Sequence, residues 1–145
     1  MPTVSIVIPT YNSSTFIMDA VASVLQAVSG LSYEIILVDD RSPDMPALRA
    51  VTADTPCLTI IEKSAKGNAA DSRNLGIAAS KGEFIFLLDS DDVFAPEHIQ
   101  RRLLLHQRDG YGILFGRYLA RNTYRTFKVE LPRYLGDMHD VLSER

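Results

Sequence analysis

Short runs of apolar residues alternate along this chain with stretches that suit α-helices. Each run has the length of a short β-strand, and the runs are Val4–Ile8, Ile35–Val38, Leu58–Ile61, Phe84–Leu88 and Ile113–Phe115. Within them the apolar residues largely follow one another, a pattern typical of strands that helices cover on both faces. The alternation therefore predicts an α/β fold with a doubly wound, largely parallel sheet.

Four helices are predicted between and after these strands, with ends marked by capping residues, prolines and glycines. We place them from Asn12 or Ser13 to about Val28, from Pro46 onward, over Ala69–Ala79, and from near Pro96 to just before Asp109. Beyond about residue 118 the sequence has no clear period. Residues 1–117 are therefore predicted to form one α/β domain, and residues 118–145 a separate segment or tail.

Charge excludes one broad class of function. The chain of 145 residues has a net charge of -3 and a pI near 5.5, which argues against a dedicated nucleic-acid binder. Residues 101–133 contain 8 Lys and Arg against 2 acidic residues. This basic stretch suits peripheral contact with an anionic membrane, although a solvated helix face is the commoner explanation.

The expected compartment is the cytoplasm, with the inner face of the membrane as an alternative place. The chain has a single cysteine, Cys57, so no internal disulfide can form. Its first residues lack a signal-peptide pattern, and no apolar run approaches the roughly 18 residues that span a bilayer.

Acidic residues gather where two of the predicted strands end, and the polar segment 9–12 follows a third. The five carboxylates are Asp39, Asp40, Asp89, Asp91 and Asp92. Ligands of open parallel sheets bind at this edge, and crowded carboxylates repel one another unless a cation lies among them. Hard oxygen donors suit Mg²⁺ or Mn²⁺, which share their coordination with substrate phosphates. The pattern favours a metal-bound diphosphate, the alternative being aspartates that only cap turns and helices.

Two familiar nucleotide motifs are absent from the sequence. Neither a G-x-G-x-x-G after the first strand nor a G-x-x-x-x-G-K-[ST] occurs, so side chains and a metal would have to hold a nucleotide. Tyr11 can offer an aromatic face to a base, and Arg73 can reach a phosphate. A packing role for Tyr11 and a local pair between Arg73 and Asp71 remain open.

Three segments together resemble the inverting family 2 glycosyltransferases, which have the GT-A fold, a Rossmann-like architecture. They are VSIVIPTYN, EIILVDDRSPD and DSRNLGIAASKGEFIFLLDSDDVFAP, in this order from Val4 to Pro96, with weaker similarity to Gly116. The resemblance implies a nucleotide site made of Pro9, Thr10, Tyr11, Asn12, Asp39, Arg73, Asp89 and Ser90. It also implies a metal site for Mn²⁺ or Mg²⁺ made of Asp91 with Asp89.

The reaction that this resemblance implies is transfer of a sugar, as in hexosyltransferases of polysaccharide biosynthesis. The donor would be a UDP- or GDP-linked sugar and the acceptor a hydroxyl of a saccharide or a lipid-linked saccharide. A carboxylate base deprotonates the acceptor while the metal stabilises the departing nucleoside diphosphate.

The chain departs from this family after the aspartate pair. The family's general base lies well beyond that pair and is often followed by a Trp-containing motif, whereas this chain has no Trp. Its late acidic candidates are Glu130, Asp137 and Asp140, in no familiar context. The chain is therefore expected to be a donor-binding half, a truncated piece whose fold is incomplete at the C-terminus, or a member whose acceptor site is completed by another chain.

Three other interpretations fit parts of the sequence. FIFLLDSDDVF also resembles the nucleophile loop of haloacid-dehalogenase-type phosphatases, with Asp89 as nucleophile, Asp91 as acid/base and Gly136-Asp137 as a late metal loop. The motif comes too late in the chain for that fold. A receiver-like domain lacks its phospho-acceptor Asp after Leu58–Ile61. A non-catalytic nucleotide-sugar-binding module stays open beside the transferase.

Overall fold

A computed structural model of the protein describes residues 1–114, 118–121 and 126–129. Two compact units divide the chain at Arg108 and Asp109. The strands and helices are β1 Val4–Thr10, α1 Ile17–Ala27, β2 Tyr33–Asp39, α2 Met45–Thr52, β3 Leu58–Glu62, α3 Ala69–Ala79, β4 Phe84–Leu87, α4 His98–Asp109, β5 Tyr118–Arg121 and β6 Thr126–Val129.

A four-stranded parallel sheet forms the centre of the first unit, with the strand order β3-β2-β1-β4. β1 is buried along its whole length, as its apolar sequence predicts. The strand order reverses at β1, because β2 and β3 lie on one side of it and β4 lies on the other. In the second unit, β5 and β6 pair as an antiparallel two-stranded sheet.

Helices cover both faces of the parallel sheet, so the predicted doubly wound α/β fold is confirmed. On one face, the apolar stripe of α1 packs with Ile6, Ile8, Ile35 and Leu37 in the larger core cluster, which also contains Leu48 of α2 and Ile99 of α4. On the other face, α3 packs on β1 and β2, where a smaller cluster contains Val7, Ile36 and Val38.

Gly76 lets α3 approach the sheet closely. A Cβ atom at this position would lie 2.3 Å from Cγ1 of Val7 and 3.1 Å from Cγ2 of Val38. Both valines are fully buried in strands, so neither side chain can move away without disturbing the core. The glycine of the R-N-x-G segment therefore has a packing role in this chain.

We expect Gly76→Ala to destabilise the protein by about 1–3 kcal/mol, the usual cost of overpacking a core, despite the better helix propensity of alanine. Urea unfolding measures the change. Asn74→Ala, on the exposed side of the same helix, is the matched control and should shift the free energy of unfolding by less than about 0.5 kcal/mol. A Gly76→Ala protein as stable as the wild type would contradict the close approach.

Helix bounds agree with the sequence predictions except at the start of α1. α3 spans the predicted residues, and an Asn68–Asp71 capping box begins it. The predicted cap of α1 by Asn12 or Ser13 is wrong, because α1 begins at Ile17 and no side chain caps it. Instead, the carbonyl of Ser13 accepts the backbone N–H groups of Phe16 and Ile17 at 3.1 and 2.9 Å, which makes a turn before the helix.

The fifth predicted strand is also wrong where the structure describes it. Ile113 and Leu114 lie in no strand, and Phe115 lies outside the described residues. Ile113 is half exposed, whereas a strand inside a parallel sheet is buried on both faces. The predicted boundary between residues 117 and 118 stays a prediction.

Candidate functional site

The sheet topology brings the predicted site residues to one edge. Thr10 and Asp39 are register partners at the carboxyl ends of β1 and β2, and β4 runs directly into Leu88, Asp89 and Ser90. Neighbouring strands lie about 4.8 Å apart, so the ends of β2 and β4 are roughly 10 Å apart across β1. The order reversal at β1 makes this edge the expected ligand crevice.

Asp39 joins the loops that follow β1 and β2. Its carboxylate is 1% exposed and accepts hydrogen bonds from the backbone N–H of Ser42 at 2.8 Å and from the Ser42 hydroxyl. Thr10 Oγ1 contributes a longer contact of 3.4 Å. The backbone N–H of Asn12, a residue with a φ of 51°, donates to the same Ser42 hydroxyl at 2.9 Å. One buried carboxylate thus fixes the shape of both loops.

Arg73 reaches from α3 to Asp89, which follows β4. The guanidinium forms an ion pair and hydrogen bond with Oδ1 of Asp89, and both side chains remain partly exposed. The alternative of a local pair with Asp71 is wrong, because Asp71 instead completes the capping box of α3. Arg carries five N–H donors, so the guanidinium at the crevice edge has further N–H groups that can bind a ligand.

Asp40 does not lie among the other carboxylates, as the sequence predicted, but pairs with a lysine. Its Oδ1 lies 2.7 Å from Nζ of Lys63, which follows β3, and also accepts the backbone N–H of Gly67 at 2.7 Å. The hydrogen bond with Lys63, reinforced by that of Gly67, outweighs the effect of burial and lowers the pKa of Asp40. The protein's own cations therefore neutralise Asp40 and Asp89 without a metal ion.

The side chain of Lys66 lies against Tyr11. Its Nζ atom is 4.1 Å from the centre of the ring and donates a hydrogen bond to the tyrosine hydroxyl at 2.9 Å. This hydrogen bond raises the pKa of Lys66. Tyr11 is about half exposed and so presents part of its ring to solvent. A packing role for Tyr11 and contact with a base therefore both stay predictions.

Asp91 and Asp92 extend the acidic loop into solvent. Burial, together with the charges of Asp91 and Asp89, raises the pKa of Asp92. In residues 1–114, no group of three or more His, Cys, Asp and Glu side chains is arranged to hold a metal ion by itself. Mg²⁺ is commonly held by one or two carboxylates and by substrate phosphates, and carboxylates also suit Mn²⁺. Asp91 with Asp89 fits such a shared site.

A pocket of about 220 Å³ opens beside Asp39, between the ends of β2 and β3. Its walls are formed by Asp39, Arg41, Ser42, Met45, Glu62 and Lys63. Arg41 is fixed there because its Nη1 atom donates to the carbonyl of Ser64 at 2.7 Å. The pocket combines a buried carboxylate with cationic groups, and such polar groups can orient a ligand.

Sequence reasoning missed the basic residues of this edge. Lys63 directly follows β3, so the same rule that selected the residues after the other strands would have found it. Lys66 and Arg41 carry no comparable signal, because their contacts with Tyr11 and Ser64 join separate loops. The candidate general bases Glu130, Asp137 and Asp140 lie outside the described residues, as does Gly136. Within the described part of the chain, no helix has the length and apolar character that crossing a membrane requires.

Comparison with known proteins places this chain in one family. The Glycosyl transferase family 2 profile matches residues 5–141. The succinoglycan biosynthesis protein ExoO of Rhizobium meliloti (strain 1021) is 38% identical over 104 residues, which cover 71% of this chain and 29% of that protein. The poly(ribitol-phosphate) beta-N-acetylglucosaminyltransferase TarP of Staphylococcus aureus (strain N315) is 31% identical over 121 residues, or 81% of this chain and 37% of TarP.

Solved structures give the same answer for the fold. S. aureus TarS 1-349 in complex with UDP-GlcNAc aligns with a TM-score of 0.65 at 22% identity, over 74% of this chain and 32% of TarS 1-349. The mannosyltransferase PcManGT from Pyrobaculum calidifontis, in complex with GDP-Man and Mn²⁺, aligns with a TM-score of 0.58 at 23% identity, over 66% and 29%. The chain spans about a third of the length of the proteins it matches.

These matches leave the phosphatase interpretation without support. The chain has the GT-A fold and belongs to glycosyl transferase family 2.

Proposed function

We propose that residues 1–117 bind a nucleoside-diphosphate sugar along the carboxyl edge of the sheet, as the donor half of an inverting glycosyltransferase. The observation that carries this proposal is the placement of Asp39 and of the Arg73–Asp89 pair on opposite sides of β1. Their separation of roughly 10 Å suits a ligand with a nucleoside at one end and a diphosphate at the other.

Each group has a task that its chemistry supports. Asp39 can accept a hydrogen bond from the base beside the 220 Å³ pocket, and Tyr11 can stack on it. Asp89 and Ser90 can bind the ribose, while Arg73 lies within reach of the diphosphate. Pro9, Thr10 and Asn12 shape the loop between these groups. We assign these roles to the same residues that the family resemblance implies.

Asp91, with Asp89, is the proposed ligand set for Mn²⁺ or Mg²⁺. When bound, the ion neutralises charge on the departing nucleoside diphosphate. Arg73 adds a fixed positive charge next to the same loop, so the leaving group would meet two cationic groups. The general base that deprotonates the acceptor hydroxyl is assigned to none of the described residues, and Glu130, Asp137 and Asp140 stay candidates from the sequence.

The relatives support a sugar donor without defining which one. The names of the structural neighbours include complexes with UDP, with UDP-GlcNAc and with GDP-Man and Mn²⁺. Among the relatives, ExoO and AmsB are named for the biosynthesis of the polysaccharides succinoglycan and amylovoran, and WfgD for glucosyl transfer with an alpha-D-GlcNAc-diphosphoundecaprenol. A saccharide or lipid-linked acceptor, a cytoplasmic location and contact of the basic stretch with a membrane stay predictions for this chain.

A thermal-shift panel tests the donor site. With Mn²⁺ present, we expect UDP or GDP, and at least one of UDP-GlcNAc, UDP-Glc and GDP-Man, to raise the unfolding temperature, because a ligand that binds only the native state stabilises it. No shift with any of the five would contradict the proposal. Release of nucleoside diphosphate that depends on an added acceptor saccharide would separate a transferase from a module that only binds the donor.

A further inference from the structure

The acidic loop that carries Asp91 has few supports of its own. Residues 88–97 connect β4 to α4 without a helix or strand. At the start of the loop, the backbone N–H of Leu88 still donates to the carbonyl of Val7 at 3.1 Å. Next, the N–H of Asp92 donates to the carbonyl of Asp89 at 3.0 Å, which closes one turn. The Arg73–Asp89 ion pair also holds the loop before Asp91. After Asp91, the direction of the loop depends on where the chain beyond Asp92 is held.

The side chain of Ser23, in α1, anchors the chain beyond Asp92. Its hydroxyl donates to the carbonyl of Ala20 at 2.7 Å, one turn back in the helix, which orients the oxygen. The same oxygen accepts the backbone N–H of Phe94 at 3.0 Å. The link joins positions 71 residues apart in sequence. A serine in a helix commonly bonds only to its own helix, so this second bond is a specific feature.

The ring of Phe94 is the second part of the anchor. It is 9% exposed and belongs to the main core cluster with residues of α1. The ring stacks on the imidazole of His98, with 4.4 Å between ring centres and an angle of 21°, and meets Phe86 of β4 edge to face at 6.4 Å. The loop is thus held in the core only three residues after Asp91.

α1 is a suitable fixed point because it directly follows the loop that carries Tyr11 and Asn12. Its inner face is fully buried against the sheet. Through Ser23, the position of the acidic loop is set relative to the helix that follows the proposed nucleotide loop. A metal ion shared between a carboxylate and a diphosphate requires the two loops to be fixed relative to each other, because the carboxylate and the diphosphate oxygens must each lie about 2 Å from the ion.

We propose that Ser23 and Phe94 are positioning residues, an inference that rests on the proposed function. They hold the Asp89–Asp92 loop where Asp91 can share a metal ion with a bound nucleoside diphosphate. Neither residue touches the ligand in this proposal. Groups that support metal ligands from outside commonly affect metal affinity about ten- to a hundredfold when they are removed. The effect of removing Ser23 should accordingly appear in the metal-dependent part of nucleotide binding.

The test measures UDP and GDP affinity by calorimetry, once with Mn²⁺ and once with EDTA, and follows whichever nucleotide the wild type binds more tightly. For Ser23→Ala we expect binding with Mn²⁺ to weaken about tenfold or more and binding with EDTA to stay within about twofold of wild type. Ser23→Thr keeps the hydroxyl and should restore most of the metal-dependent gain. Ser29→Ala, at an exposed serine just after α1, is the matched control.

Phe94→Leu is the second variant, and it tests the same proposal if Ser23→Ala does not fold. It keeps an apolar side chain but removes the ring stack, and should also reduce the metal-dependent gain. The positioning role would be overturned if nucleotide affinity fell equally with Mn²⁺ and with EDTA. It would also be overturned if both variants kept the full increase in affinity that Mn²⁺ gives the wild type.

Hydrogen exchange at the Phe94 amide separates the two proposals. Ser23→Ala should speed this exchange more than Ser29→Ala does, whether or not a nucleotide binds. If the wild type binds neither nucleotide, the proposed function fails and the positioning role fails with it. If the wild type binds with Mn²⁺ and Phe94 exchanges equally in both serine variants, the positioning role alone is wrong.

Discussion

Replacing Asp91 by alanine is expected to remove most of the stabilisation that UDP or GDP gives in the presence of Mn²⁺. Asp91 is exposed, and its neighbour Asp89 is already engaged by Arg73. The carboxylate of Asp91 is thus the one best placed to hold an ion without breaking an existing contact. A nucleotide at a hundred times its dissociation constant stabilises a protein by about 2.7 kcal/mol.

The size of the loss follows from the change in affinity. A tenfold weaker complex lowers the stabilisation by about 1.4 kcal/mol, and a hundredfold weaker one removes nearly all of it. For a protein of this size, 1 kcal/mol corresponds to roughly 2–8 °C in the unfolding temperature. Without ligand, Asp91→Ala should unfold at the wild-type temperature, because the side chain makes no contribution to the core.

Two controls make this result specific. Asp54→Ala removes an exposed acid in the loop after α2, away from the crevice, and should keep the full shift with nucleotide and Mn²⁺. EDTA should reduce the wild-type shift to that of Asp91→Ala. A variant that kept the whole Mn²⁺-dependent shift would place the ion elsewhere and would remove Asp91 from the proposed site.

The parallel sheet could be predicted from the sequence because its strands are buried on both faces. Val4–Ile8 and Ile35–Val38 are rich in branched apolar residues, and no other element of that length suits such runs between polar loops. Ile113–Phe115 has the same composition but fewer residues, and a strand also requires a partner. Composition alone cannot supply that partner, which is why the fifth strand was predicted wrongly.

The acidic half of the site could be predicted, whereas in the basic half only the position of Lys63 could have been, and none of the contacts. Asp39 and Asp89 directly follow the predicted strands Ile35–Val38 and Phe84–Leu88, so chain order and the parallel arrangement were enough to place them at one edge. Lys63, Lys66 and Arg41 owe their roles to pairs formed across loops, with partners 23 to 55 residues away. Reasoning from repulsion among the acids predicted a metal, although two of them have cationic partners in the protein.

Loss of the Lys63 charge is expected to destabilise the fold more than any other single change at this edge. The side chains of Lys63 and Asp40 are about one-tenth exposed, so Lys63→Met would leave Asp40 ionised, buried and without its cation. Breaking a fully buried pair costs roughly 3–5 kcal/mol, and we expect about 2–3 kcal/mol here because water reaches both groups. Urea unfolding at pH 7 measures the difference. Lys81→Met, at an exposed lysine, should stay within about 0.5 kcal/mol of wild type.

The double variant Asp40→Asn/Lys63→Met distinguishes the lost ion pair from lost packing. Asparagine is neutral and can still accept the N–H of Gly67, so most of the stability should return. The difference between the double variant's change in unfolding free energy and the sum of the two single changes measures the charge effect.

Because Lys63 lowers the pKa of Asp40 from 3.8, the pair stabilises the wild type above that pH and loses its effect as pH falls through the lowered pKa. The gap between wild type and Lys63→Met should therefore narrow in acid. A gap that stayed constant down to pH 3, or a double variant no more stable than Lys63→Met, would show that the methylenes of Lys63 and not its charge hold the loop between β3 and α3.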